Sequence, residues 1–192
     1  MEQSKIKKPN FSCVVICRNE SKTLPRLVAS VKEFMDAGGE FIALDTGSID
    51  GTAQIARDLG CKVEEVGDRF RRVIDHSLAA SINGQFVQKG ELPVVSAGDS
   101  LFDFASARNY AASLAENTWI FMPDCDEILT AFDLEKIEEA IVDPEVTRCS
   151  YDFVFAHDAF NKPTIQFLHS KFYRRDKLEW HRIVHECLYT KL

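Results

Sequence analysis

Strand, helix and strand follow one another twice before residue 67, and this alternation constrains the fold more tightly than any other feature of the chain. Phe11 to Ile16 (FSCVVI) is a short apolar run rich in β-branched residues. It gives way at once to Arg18-Asn19-Glu20-Ser21, so it reads as a buried strand opening into a polar loop. From Leu24 the apolar residues Leu24, Leu27, Val28, Val31, Phe34 and Met35 recur at helical spacing, and Gly38-Gly39 stops the helix. Phe41 to Leu44 is a second strand, ending on Asp45. The turn TGSIDGT, a helix through Ile55, Ala56 and Leu59 closed by Gly60, and a strand from Cys61 to Val66 repeat the unit. Each βαβ unit requires a parallel strand pair, so three parallel strands are expected here.

The rhythm breaks over residues 67–103, where no period is clear and Gly84, Gly90, Pro93 and Gly98 punctuate the chain. A long irregular stretch in a compact fold is expected to be a partly ordered flap. Phe104 to Leu114 (FASARNYAASL) reads as a helix capped by Asp103, and Trp119 to Met122 (WIFM) as a buried strand delivering Asp124-Cys125-Asp126-Glu127. Asp133 to Val142 reads as an amphipathic helix. Beyond residue 147 the runs Thr147 to Phe155, Thr164 to Leu168, Lys171 to Arg174 and Ile183 to Leu188 read as short antiparallel strands. The expected class is α/β: parallel βαβ units followed by a mixed or antiparallel C-terminal part, in one domain over residues 1–192.

Composition narrows the function. With 23 Lys plus Arg against 30 Asp plus Glu, the net charge of −7 has the wrong sign for a protein that holds phosphate backbones by electrostatics alone. No apolar run approaches the length of a membrane-spanning helix and the first ten residues lack the apolar middle of a secretory signal, so a cytoplasmic protein without a membrane span is expected. Cys13, Cys17, Cys61, Cys125, Cys149 and Cys187 form no C-x-x-C pair and are expected to be reduced core thiols. The phenylalanines, Phe102 and Phe104 among them, are likewise expected in the core.

In open parallel sheets ligands collect outside the carboxyl ends of the strands. Three polar groups fall there: Arg18-Asn19-Glu20, Asp45-Thr46-Gly47-Ser48, and Asp124-Cys125-Asp126-Glu127. Carboxylates gathered in one crevice repel one another unless a cation sits among them. A divalent metal shared with substrate phosphates would resolve that repulsion. No G-x-G-x-x-G follows the first strand and no G-x-x-x-x-G-K-[ST] occurs, which argues against dinucleotide oxidoreductases and P-loop enzymes.

The series SCVVICRNE, FIALDTGSIDGT, FASARNYA, WIFMPDCDE and FYRR followed by WHRIVHE resembles the inverting family 2 glycosyltransferases of the GT-A fold, in order and spacing over most of residues 11–188. The resemblance implies transfer of a sugar from a nucleotide diphosphate sugar, a UDP-sugar being favoured. It assigns residues 11–127, with the insert 67–103, to the nucleotide-sugar half and residues 128–192 to the metal and acceptor half. By the same resemblance Arg18, Asn19, Glu20, Asp45, Gly47, Ser48, Arg108, Asp124 and Arg174 would bind the donor. Asp126 and His185 would ligate Mn2+ or Mg2+, and Glu186 would be the base that takes the acceptor hydroxyl's proton.

Two departures from the family pattern stand out: the insert replaces a short link, and His181 and Arg182 lie where relatives often carry a glycine nearby. The insert is expected to help build the acceptor site. The residues also have simpler readings: Asp45 as a turn former, Glu20 as a loop charge, Arg174 as part of an edge-strand cluster, and each histidine as structural. A sugar-phosphate nucleotidyltransferase and a catalytically silent binding module remain as alternatives. The first normally has a glycine-rich loop where this chain has CRNESKTLP, and the second does not need the intact acid set. The acceptor stays open among a protein side chain, a glycan, a lipid carrier, a small molecule and a modified nucleobase.

Overall fold

The computed structural model describes residues 8–88, 90–183 and 185–191. The strands are β1 Phe11–Cys17, β2 Glu40–Asp45, β3 Lys62–Glu65, β4 Arg71–Val73, β5 Ser100–Phe102, β6 Trp119–Phe121, β7 Arg148–His157, β8 Pro163–Arg174, β9 Leu178–His181 and β10 Cys187–Thr190. The helices are α1 Leu24–Ser30, α2 Lys32–Asp36, α3 Thr52–Asp58, α4 His76–Phe86, α5 Phe104–Ser113 and α6 Leu134–Ala140. The main sheet has six strands in the order β3-β2-β1-β6-β8-β7. Its first four are parallel, and β8 and β7 close it antiparallel. This is the α/β class expected from the sequence.

The central strands carry apolar residues on both faces because both faces are covered. On one side Phe11, Phe34, Phe121 and Phe172 pack with α1, α2 and α6; on the other Val14, Ile42, Ile120 and Tyr173 pack against the alanines of α5. At the amino ends of the strands the buried Glu40 carboxylate accepts from Ser12 Oγ (2.5 Å), Lys62 Nζ (2.7 Å) and the Glu116 amide (2.8 Å). Burial pushes its pKa upward, and these donors outweigh burial and hold it below the ordinary glutamate value. Polar residues are thus pegged at one end of the sheet, which leaves the carboxyl end for chemistry.

Several expectations are corrected. The helix expected from Leu24 through Met35 breaks at Val31 (φ −111°, ψ 28°) into α1 and α2. Ser30 Oγ at the break turns back to donate to Leu27 O (2.7 Å) and accepts from the Leu129 amide (3.2 Å), so tertiary bonding competes with the helix. The insert is more than a flap. Its β4 and β5 pair antiparallel, and Asp75 caps α4 by accepting from the Leu78 amide (2.7 Å). The two short strands expected at 164–168 and 171–174 are one strand, β8, with a register shift opposite Cys149 and Tyr151. The strand expected from Ile183 begins only at Cys187, and Val184 lies outside the described residues.

Four cysteines are buried, while Cys149 is half-buried and Cys187 exposed, so the last is no core thiol. Phe104, Phe155, Phe160 and Phe167 are also exposed and Phe102 is half-buried, against expectation. Among the described residues no helix is long and apolar enough to cross a membrane.

Gly39 closes α2 under a buried ring. A Cβ there would lie 2.5 Å from Phe34 Cζ, nearer than real contacts allow. Gly39→Ala is expected to cost about 1–3 kcal/mol of unfolding free energy by urea titration, and Phe34→Leu in the same chain should recover part of it.

Candidate functional site

Parallel pairing sets Cys17 beside Asp45, so the loops leaving β1 and β2 meet at the carboxyl rim. They are stitched together by their own polar groups. Asp45 is buried, and its Oδ1 accepts from the amides of Gly47 and Ser48 (both 2.8 Å), the local bond of an aspartate turn. The Asn19 amide donates to Ser48 Oγ (2.8 Å), and Asn19 Oδ1 accepts from the Ile49 amide (2.9 Å) with Asn19 itself at φ 59°. Arg18 Nη1 donates to Thr46 O (2.9 Å) and to Asp68 of the insert (3.1 Å). Gly47 lets this happen by taking φ 96°, a left-handed conformation that glycine adopts without steric cost. The Glu20 carboxylate accepts from the hydroxyl of Thr23.

A second knot forms where α5, the loop after β6, β8 and the segment before β10 converge. Asp103 caps α5 by accepting from the Ser106 amide (3.0 Å), and Arg108 follows one turn along. Arg108 is buried. Its Nε donates to Glu186 Oε1 (2.7 Å), its Nη2 to Asp124 Oδ1 (2.7 Å), and its carbon lies 5.0 Å from the centre of the Trp180 ring. Its Nη1 is buried with no hydrogen-bond partner among the described residues. Lys171 Nζ donates to the second oxygen of Asp124 and to Glu127 Oε1, the latter at 2.6 Å.

Five ionised groups therefore alternate in sign: Glu186, Arg108, Asp124, Lys171, Glu127. Burial pushes Asp124 upward, but Arg108 and Lys171 overcome it and hold the carboxyl below the ordinary range. For Glu127 burial prevails over Lys171, and its pKa is raised.

Two of the carboxylates expected beside a metal, Asp124 and Glu127, have side-chain cations next to them. Both oxygens of Asp124 are taken by Arg108 and Lys171. Lys171 is absent from the sequence reading of the site, although a lysine inside the run FLHSKFYRR was a signal, since lysine is seldom buried without a partner. The structure places Arg174 elsewhere. Antiparallel pairing sets it opposite Trp119, at the start of β6 rather than its end, where it binds Asp176 (2.8 Å) and Pro144 O (3.0 Å). Lys171, three residues earlier on β8, is the basic group this strand brings to the rim.

Asp126 and His185, the expected metal ligands, are both exposed. Neither side chain hydrogen-bonds or ion-pairs with any described residue, and His185 sits at φ 53°. Among the described residues no group of three or more His, Cys, Asp or Glu side chains is arranged to hold an ion. The donor chemistry still fits an ion carried in with phosphates. Mg2+ and its analogues are commonly held by one or two carboxylates plus substrate oxygens, and Asp126 offers an uncommitted carboxylate between two committed ones.

Residues 12–77 match the family model described as Glycosyl transferase family 2. A TPR repeat-containing protein of Synechococcus elongatus is 31% identical over 134 residues, which is 70% of this chain and 25% of that protein. Among solved structures, S. aureus TarS is 20% identical with a TM-score of 0.42, over 68% of this chain and 31% of that one. Glucosyl-3-phosphoglycerate synthase from Mycobacterium tuberculosis, crystallised with uridine-diphosphate, is 20% identical with a TM-score of 0.40, over 63% and 35%. This chain spans a quarter of the curated relative's length and about a third of each solved chain.

Lys171→Met would leave two carboxylates facing each other without their shared cation. The unfolding free energy is expected to fall by about 3 kcal/mol in urea titration, with Lys171→Arg losing clearly less.

Proposed function

We propose that this chain is a metal-dependent inverting glycosyltransferase that moves a sugar from a nucleotide diphosphate sugar, a UDP-sugar being favoured, to an acceptor hydroxyl. One observation carries the reading: a buried guanidinium, anchored on Glu186 and Asp124, keeps Nη1 without a partner at the carboxyl rim of a parallel sheet. A buried unpaired donor is costly, and an incoming anion would satisfy it. The match of residues 12–77 to the glycosyl transferase model supports assigning that anion to the donor's diphosphate.

On this reading the stitched β1 and β2 loops take the nucleoside. Asp45, buried with Oδ1 on the turn amides and Oδ2 facing Cys17 Sγ at 4.0 Å, holds the shape of the loop that would meet the base. Arg18, Asn19, Glu20, Gly47 and Ser48 form the surrounding wall. Arg108 holds the diphosphate, and Asp126 and His185 hold Mn2+ or Mg2+, which when bound draws charge from the departing diphosphate. Glu186 gives Oε1 to Arg108 and keeps Oε2 to accept the acceptor's proton. Its carboxylate is fixed in place by the same guanidinium, so base and phosphate site are oriented by one residue. Arg174 has no part in this site, and Lys171 replaces it by fixing both ends of the Asp124–Glu127 segment.

A thermal-shift panel of nucleoside diphosphates and their sugar conjugates, with and without Mn2+, tests the reading. A fitting donor at a hundredfold excess over its Kd should stabilise the fold by about 2.7 kcal/mol. No shift with any nucleotide would overturn the proposal. Asp126→Ala is expected to remove the Mn2+-dependent part of UDP binding in calorimetry without changing the melting temperature of the free protein. Glu186→Gln should retain donor binding and lower turnover by two to four orders of magnitude. A variant turning over at the parental rate would exclude Glu186 as the base.

A further inference from the structure

Asn109 and Trp180, from the blocks FASARNYA and WHRIVHE, bring no charge to the rim, yet they are tied to each other by two hydrogen bonds. The side-chain amide of Asn109 takes both main-chain groups of Trp180: Oδ1 accepts from the Trp180 amide and Nδ2 donates to the Trp180 carbonyl, each at 2.8 Å. β10 pairs along the other edge of β9, so Asn109 does for this edge what a further strand would. The indole is held as well. Trp180 Nε1 donates to the hydroxyl of Tyr173 on β8 at 2.9 Å, and the two rings meet edge to face, 5.8 Å between centres. Trp180 and Tyr173 are both buried.

These bonds act on Arg108. Its hydrogen bonds from Nε to Glu186 and from Nη2 to Asp124, both 2.7 Å, fix the guanidinium within its own plane. They leave it free to tilt about the line joining them. The indole stacked 5.0 Å from the guanidinium carbon removes that freedom. The structure assigns Trp180 as a positioning residue for the donor's diphosphate: locked by Asn109 and Tyr173, its ring sets the plane of Arg108 so that Nη1 alone is left for the phosphates. The inference rests on the donor reading and extends that site to side chains that act through Arg108.

Burial of the indole by itself asks for one acceptor, and Tyr173 supplies it. The Asn109 bonds come in addition, from the residue next to Arg108 on α5. One turn of one helix therefore carries the guanidinium and also grips the strand whose ring lies against it, so the two are placed as a unit.

Calorimetry with UDP and Mn2+, run beside far-ultraviolet circular dichroism and thermal melting, tests the inference. Trp180→Leu removes the ring face and should weaken UDP binding by about ten- to thirtyfold, the range of a desolvated cation–π contact, with uridine binding as it does to the parental protein. Trp180→Phe keeps a ring and should recover most of the loss. Tyr173→Phe keeps its own ring but leaves the indole without its acceptor, and should weaken UDP binding about threefold; it decides the question where Trp180→Leu does not fold. A tryptophan that served packing only would lower the melting temperature of these variants and leave the UDP affinity of the folded protein unchanged. That result overturns the inference, as does an equal loss for uridine. Absence of UDP binding by the parental protein overturns the donor reading itself, and the inference with it.

Discussion

The alternation of charge from Glu186 through Arg108, Asp124 and Lys171 to Glu127 is the interaction on which the rest of the site depends. It joins α5, the loop after β6, β8 and the segment leading to β10, of which only the second and third are also joined by the sheet's hydrogen-bond ladder. Buried ions gain stability only when each is paired, and here the two cations share out three carboxylates. The same pairing decides what is left over. Among the described residues the Asp126 carboxylate and one nitrogen of Arg108 are left uncommitted, the first exposed and the second buried.

The sheet brings these groups together and contributes Lys171 of β8 and Asp45 of β2 from its own strands. Its parallel half fixes which strand ends are neighbours, so the β1 and β2 loops meet and stitch before any ligand arrives. The antiparallel half runs the other way past β6, and that reversal matters. Position along β8 decides whether a basic residue reaches the rim: Lys171 does, and Arg174, three residues on, is carried to the opposite end. The site is therefore preorganised by sheet register more than by the loops themselves.

Much of the fold was legible because its signals were local. The apolar runs of β1 and β2, the glycine after α3 and the aspartate capping α5 each need only a few residues to read. The break at Val31 was not legible, because it depends on Ser30 bonding to a residue far away in sequence. Neither was the order within the insert, whose helix shows little periodicity and is held by the Asp75 cap and the β4–β5 pairing. At the site, motif order located the carboxylates but not what neutralises them. Lys171 lies outside the acidic segment in sequence and enters by strand pairing alone, so the side-chain cations beside Asp124 and Glu127 were not legible from the acidic residues themselves.

The central claim is that the rim binds a cation and a pyrophosphate together, with Asp126 on the ion and Arg108 on the phosphate. The most direct measurement is a crystal structure with UDP and Mn2+ recorded at the manganese absorption edge. The account predicts an anomalous peak within coordination distance of the Asp126 carboxylate and diphosphate density against Arg108. Ordered nucleotide bound elsewhere on the chain, or bound at the rim with no ion beside Asp126, would contradict it.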